Sequence, residues 1–158
     1  TNYWPPVLRE LTVMRAFWNA IQVDWRGTIN EIRLTIWPMT PQELENRLIA
    51  FALSIVKLTE KMSDSYASKY YANQLLRSGA SPALNYGEAR SAESSKDFIH
   101  KVNIIIKELR ESFICLKIIE QTNLHHDVKT VQSAKSECNE LISIFVASVN
   151  TAKKKQQE

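Results

Sequence analysis

The sequence contains few of the residues that interrupt helices. Only three of its 158 residues are glycine and five are proline, whereas 44% are apolar. Glycine and proline mark turns and strand ends, so their scarcity argues against many short strands and favours long helices. A chain of this length is long enough for one sizeable core and too short for two ordinary domains.

Two further absences concern the cellular location of the protein. No apolar run approaches the roughly 18 residues of a membrane span, and the start lacks a basic region followed by an apolar stretch. The cysteines, Cys115 and Cys138, have no CxxC spacing and lie within helical patterns. Such a pattern is more typical of buried free thiols than of a disulfide. We therefore expect a cytoplasmic protein with no membrane partner.

The sequence also lacks the residue sets that catalysis requires. We find no nucleophile with a base, no phosphate loop and no metal-ligand cluster. The nearest candidate is the run His125, His126, Asp127. Adjacent histidines on a helix point about 100° apart, so a solvated helix start with Asp127 near the helix dipole is favoured over a metal site. We predict a non-enzymatic protein with no cofactor and no small-molecule substrate.

The composition changes near residue 42. All four tryptophans and four of the five prolines precede it, and no lysine does. Apolar residues follow Pro5–Pro6 at helical spacing, and a second periodic segment over 25–36 ends at the prolines of 37–41. This pattern predicts a helical hairpin over residues 1–42. Its tryptophans would anchor it to the rest of the chain or to another subunit.

Four amphipathic segments follow from residue 43. In the first, apolar residues step by four and three from Leu44 to Met62, and the others run over about 66–92, 94–119 and 128–149. Pro82 predicts a bend in the second, not a break, and Ser94 or Ser95 caps the third. Short connections make sequential helices antiparallel. The sequence therefore predicts an all-α, antiparallel, up-and-down four-helix bundle over residues 43–152, with a polar tail over 153–158.

The third segment carries more apolar residues than one bundle seam needs. We expect either the N-terminal hairpin or a second subunit to cover the surplus. A closed homo-oligomer is predicted on this basis. The isoleucines assigned to its interface are Ile99, Ile106, Ile114 and Ile118.

Polar residues form a row along the second segment. Arg77, Ser81, Asn85 and Glu88 step by four, four and three, which places them on one helix face. A ligand site is one interpretation. We favour another, a structural polar layer shared with the antiparallel third helix, which would fix the register of the bundle. The predicted pairs are Glu88 with Lys101, Asn85 with Asn103, and Arg77 with Glu111 or Glu108.

The net charge of +3 is modest and does not by itself establish nucleic-acid binding. The last lysines form either a tail that contacts phosphates or a solvated helix end, where lysines also suit the helix dipole. An oligomer would repeat each subunit's cations around one axis, which favours phosphate binding. The candidate phosphate contacts are Lys57, Lys61, Lys69, Arg90, Lys153, Lys154 and Lys155.

Several motifs stand in the order and spacing of a known family signature. They are Gln74–Gly79, Asn85–Ala89, Ser94–Phe98, Lys101 and Lys107–Glu108. In these motifs residues 43–152 resemble the four-helix bundle proteins encoded in intervening sequences of bacterial 23S rRNA genes. The chain departs from the family pattern at Pro82 and at Ile114–Cys115, and residues 1–42 lie outside it.

The resemblance implies a closed homo-oligomer, with a pentamer favoured. One branch of the family comprises accessory proteins of diversity-generating retroelements, which partner a reverse transcriptase and bind nucleic acid. That branch is usually strongly basic, unlike this chain. The resemblance thus implies an oligomeric scaffold that binds a reverse transcriptase, RNA or DNA. The alternative is a structural or phage-derived interaction module that binds no nucleic acid.

Overall fold

A computed structural model describes residues 34, 35 and 38–155. Over these residues the chain forms two short strands and four helices, as the sequence predicts for the bundle. The elements are β1 (Leu34–Thr35), β2 (Pro38–Met39), α1 (Pro41–Thr59), α2 (Tyr66–Arg90), α3 (Ser95–Gln121) and α4 (Val128–Lys155). No helix in this part of the chain is long and apolar enough to cross a membrane.

Most of the predicted N-terminal hairpin lies outside the described residues. Its end differs from the prediction, because Leu34 and Thr35 pair antiparallel with Met39 and Pro38 and do not continue a helix. Proline lacks the N–H that a helix interior requires and favours extended backbone before it. Thr40, which precedes Pro41, is accordingly extended, at φ −69° and ψ 159°.

Each helix begins at a residue whose side-chain oxygen accepts a backbone N–H. The oxygens of Thr40, Ser65 and Ser94 each accept from the amide three residues later, at 3.1–3.2 Å. Asp127 accepts from the amides of Lys129 and Thr130 before α4. These caps satisfy amide groups that the first helical turn leaves free. The two serines and Asp127 therefore set where α2, α3 and α4 begin.

The four helices form one closed layer around a single core. Each packs against its neighbours in sequence, and α4 packs back against α1. Diagonal helices do not approach through their backbones, but their side chains meet in the core, where the rings of Tyr86 in α2 and Phe145 in α4 lie edge to face with centroids 5.7 Å apart. This is the up-and-down arrangement that short connections favour. The largest fully buried side chains come from all four helices and include Phe51, Leu75, Tyr86, Leu109 and Phe145.

The small residues of α2 allow its neighbours to approach closely. A Cβ on Gly79 would lie 3.0–3.3 Å from three side-chain atoms of Ile55 in α1. On the other side of α2, the Ser112 hydroxyl of α3 donates to the buried Ser78 hydroxyl at 2.8 Å. Helix α2 continues through Pro82, as predicted. Together these residues place α1 and α3 in fixed positions against the middle of α2.

The isoleucines predicted to lie outside the core have three different environments. Ile106 is only 7% exposed, so the prediction that it lies off the core is wrong. Ile99 and Ile118 are half-buried, and Ile114 is 53% exposed. Helix α3 packs against both α2 and α4, so it buries two faces within one chain. The four isoleucines therefore do not form a continuous exposed strip.

Both cysteines are free and buried, as the sequence predicts. The Cys138 thiol donates to the carbonyl of Leu109 at 3.1 Å. Burial raises the pKa of Cys138 to about 12, and it also raises the pKa of Cys115. Because the thiolate is the reactive form, neither thiol is poised as a nucleophile.

Two alanine substitutions test the close contact at Gly79. Gly87 is exposed and a Cβ there would have no neighbour within 4 Å, so Gly87→Ala should stabilise the protein by about 0.5–1 kcal/mol. Gly79→Ala gains the same helix propensity but pushes against Ile55. Its free energy of unfolding should lie about 1–3 kcal/mol below that of Gly87→Ala in denaturant titrations at one protein concentration. Equal stabilisation by both changes would contradict this packing.

The thiols provide a second test of the core. We expect neither Cys115 nor Cys138 to react with a thiol reagent in the native protein at pH 8, and both to react at once in denaturant. Absorbance of the released chromophore measures this. One equivalent released rapidly without denaturant would show that one cysteine is accessible.

Candidate nucleic-acid interface

The outer face of α3 carries positive charge and no carboxylate. Its exposed residues recur every three or four positions, as expected for one helix face. We call Lys96, Lys107, Arg110 and Lys117 the α3 basic stripe. The complete set of exposed α3 residues is Lys96, His100, Asn103, Lys107, Arg110, Ile114, Lys117 and Gln121.

The α3 basic stripe runs along most of the helix. At 1.5 Å per residue, Lys96 and Lys117 are separated by about 31 Å along the helix axis. None of the four cations takes part in an ion pair within the described part of the chain. The stripe therefore presents unneutralised charge to the solvent, in an arrangement that matches an extended polyanion.

The carboxylates of α3 lie on its flanks, where the neighbouring helices pair with two of them. Glu111 faces α2 and accepts from Arg77 at 2.7 Å. On the opposite flank, Glu120 accepts from Lys135 and from Gln132 of α4, and these hydrogen bonds lower its pKa. The packing of α3 against its neighbours thus draws these acids away from the exposed face.

The predicted pairs between α2 and α3 are present at two of three positions. Lys101 pairs with Glu88, and Arg77 pairs with Glu111 and not with Glu108. Both pairs are partly exposed, and such surface ion pairs contribute about 0–1 kcal/mol. The buried hydrogen bond between Ser78 and Ser112 lies next to the second pair and shares its register.

The third predicted pair is absent. Asn85 donates to the carbonyl and hydroxyl of Ser81 within its own helix, at 2.9 Å each. Asn103 is exposed on the outer face of α3, and half-buried Glu108 makes no ion pair within the described residues. An asparagine four residues after a serine readily finds a partner in the preceding turn, so it has no need of a residue across the interface.

The residues predicted to contact phosphate do not form one patch. Lys57, Lys61 and Lys69 lie where α1 ends and α2 begins, whereas Arg90, Lys153, Lys154 and Lys155 lie near the opposite end of the bundle. Two of them are already paired: Lys69 with Asp64 and Arg90 with Glu45. Arg90 also donates to Gln42. The antiparallel topology separates the set between the two ends of the bundle, so these residues stay a prediction of separate phosphate contacts and do not form one site within a subunit.

His125 is buried, contrary to the prediction of a solvated helix start. Its side chain is only 4% exposed because the connection before α4 folds back and pairs with the one after α1. The backbone amide of Ser63 donates to the carbonyl of Leu124 at 3.1 Å in this contact. The Nδ1 atom accepts from the Asp127 amide at 3.0 Å, and Nε2 has no partner in the described structure. His126 is exposed, so the two histidines do not converge.

The described residues contain no group of three or more metal-ligand side chains that could hold a metal ion. One groove of about 330 Å³ lies between α1 and α4. Arg47 borders it and pairs with Glu137 and Glu140 at 2.6 and 2.5 Å. These pairs raise the pKa of Arg47 further above its ordinary value. The groove is therefore bounded by a paired arginine.

The α3 basic stripe was not identified from the sequence. Its cations are spread over 22 residues and alternate with the acids that face the neighbouring helices. The sequence signal that could have identified the stripe is the alternating spacing of four and three residues between the positions on this helix face. Assigning a position to the exposed face requires knowing which two faces of α3 are buried, and the surplus of isoleucines obscured that choice.

Comparisons with known proteins agree with this bundle. The sequence profile described as 23S rRNA-intervening sequence protein matches residues 42–147. A crystal structure of a protein of unknown function from Bacteroides thetaiotaomicron, of the S23 ribosomal protein family, is 27% identical, with a TM-score of 0.62. The match covers 67% of this chain and 97% of that one. No curated protein matches the sequence. The chain belongs to the 23S rRNA-intervening sequence protein family.

Proposed function

We propose that this protein is a non-enzymatic oligomeric scaffold that binds the phosphate backbone of RNA or DNA along α3. The observation that carries the proposal is the exposed face of α3, which holds no acid and, over about 31 Å, four cations that form no ion pair with any described residue. Lysine and arginine contacts to phosphate release condensed counterions, and this release supplies most of the affinity of such interfaces.

The composition of the face favours backbone contacts over base recognition. Of the eight exposed α3 residues, only His100 carries a ring, so stacking against bases is limited. Phosphate contacts carry no sequence information directly. We therefore expect binding with little preference for base sequence and with strong dependence on salt.

Oligomerisation would raise the affinity of this interface. A single subunit offers four contacts, whereas affinity grows with the number of phosphates neutralised. We propose a closed homo-oligomer, with a pentamer favoured by the family resemblance. A ring repeats the α3 basic stripe once per subunit, so a strand that reaches two stripes gains from both.

We further propose a reverse transcriptase as the protein partner, by resemblance to the accessory proteins of diversity-generating retroelements. Such an enzyme handles an RNA template and a DNA product, and both present the backbone that α3 would bind. A reverse-transcriptase gene beside the gene for this chain, and co-purification of the two proteins, is the expected result. A neighbourhood of phage structural genes would favour the alternative role.

The alternative is a structural interaction module that binds no nucleic acid. The observation that favours it is an exposed apolar row on α1, formed by Ile49, Leu53 and Val56 at 44%, 55% and 40% exposure. Exposed apolar clusters of this kind mark contacts between proteins. This row lies on the helix diagonal to α3, so the two surfaces are separate.

The basic stripe is tested by removing its two adjacent cations. In the double variant Lys107→Gln, Arg110→Gln, two phosphate contacts are lost, so the slope of log K against log salt for a single strand should fall by about 1.4. At about 100 mM salt this corresponds to roughly 25-fold weaker binding. Fluorescence anisotropy of a labelled single-stranded RNA measures both quantities.

The matched control is Lys57→Gln, Lys61→Gln, which removes the same charge from exposed positions on and just after α1. We expect this variant to retain nearly the full salt slope. An equal loss in both variants would point to net charge alone and contradict an interface on α3. No retention of RNA or DNA by the unaltered protein at about 50 mM salt would remove nucleic-acid binding from the proposal.

A further inference from the structure

The face of α1 that points away from the core carries three large apolar side chains in a row. Ile49, Leu53 and Val56 are spaced by four and three residues, so they lie on one side of the helix. We call these three residues the α1 apolar row. Burying side chains of this size stabilises a protein, so leaving three of them exposed forgoes a sizeable gain.

Within the α1 apolar row, Leu53 adjoins the groove between α1 and α4, because it lies one helical turn from Ala50 in the groove lining. The groove has a volume of about 330 Å³, which lies at the lower end of the range of ligand pockets. Small side chains line its walls, among them Ala50, Ser54 and Ser133, and Phe51 lies at its base. The lining combines apolar side chains with three hydroxyl groups and the paired Arg47 and Glu137, and its oxygens offer acceptors for an indole ring, whose N–H needs one when it is buried.

The segment before β1 has the chemistry that this surface would accept. Three of the four tryptophans, Trp4, Trp18 and Trp25, belong to this segment, the fourth follows β1 in sequence, and the bundle helices contain none. A segment of about 33 residues is too short to build an independent core, so its tryptophans need an external surface. The family match begins at residue 42, so this segment is an addition to the bundle that the family shares.

The position of the segment favours the α1 face of its own chain. Strand β2 ends at Met39, one residue before the Thr40 cap, and Met39 packs against the core. The α1 apolar row begins eight residues into α1, about 12 Å from its start. A tethered segment at this distance experiences an effective concentration in the millimolar range, well above that of a second molecule.

From these observations we propose that the tryptophan-containing segment of residues 1–33 docks on the α1 apolar row and in the adjoining groove of the same chain. The occupant is thus part of the protein itself, and the contact would cover apolar surface that the bundle of this chain exposes. This proposal does not depend on nucleic-acid binding, because α3 lies diagonal to α1.

Tryptophan fluorescence of the full chain tests the proposal directly, because every tryptophan lies outside the bundle. In Leu53→Asp a charge replaces the centre of the α1 apolar row, and in Ser133→Arg a long side chain fills the groove from α4. Both variants should shift the tryptophan emission to the red, toward that of the denatured chain, and increase quenching by acrylamide. Far-UV circular dichroism should show an intact bundle in both.

The matched controls place the same charge on other exposed apolar residues. Leu84 in α2 and Ile114 in α3 are 72% and 53% exposed, so Leu84→Asp and Ile114→Asp should leave the emission unchanged. Equal red shifts in variants and controls, or no shift in Leu53→Asp and Ser133→Arg, would overturn the proposal. Emission that shifts on dilution, together with a fall in molecular mass by light scattering, would identify a second copy as the occupant and overturn docking within one chain.

Discussion

The buried contact of α2 with both its neighbours at Ser78 and Gly79 fixes the register of the bundle. Gly79 brings Ile55 of α1 within van der Waals distance, and the Ser78 hydroxyl accepts from Ser112 of α3. The surface pairs between α2 and α3 share this register but contribute little to it, since they are partly exposed. The same register leaves the outer face of α3 without an acid, because Glu111 and Glu120 pair with the neighbouring helices.

The up-and-down topology then separates two surfaces of different chemistry. Helices α1 and α3 lie on a diagonal, and their backbones do not approach each other. One diagonal position presents the α3 basic stripe, and the other presents the α1 apolar row beside a groove lined by small side chains. In the proposed scaffold, a polyanion would lie on one side and apolar segments would pack on the other. Assembly of several subunits would repeat both surfaces.

The helical periodicity and the positions of serine and proline predicted most of the fold. Local sequence pattern was enough to predict the four helices, the Ser94 cap, the continuous α2 through Pro82 and the buried thiols. Packing in the bundle does not change any of these features. The burial of Ile106 and of His125 could not be predicted from local pattern, because it depends on which distant segment covers each residue. The α3 basic stripe was missed for the same reason: its cations become a single surface only once both flanks of α3 are known to be buried. The separation of the candidate phosphate contacts, Lys57 to Lys155, between the two ends of the bundle was not predicted, because it depends on the antiparallel packing of the helices.

Lysine footprinting of the unaltered protein would test the central claim most directly. The full chain is acetylated with and without a single-stranded RNA in excess, and the modification at each lysine is measured by mass spectrometry. The account predicts that RNA protects Lys96, Lys107 and Lys117, while Lys57, Lys61 and Lys153 stay reactive. Protection of Lys57, Lys61 or Lys153 with unchanged reactivity along α3 would contradict it.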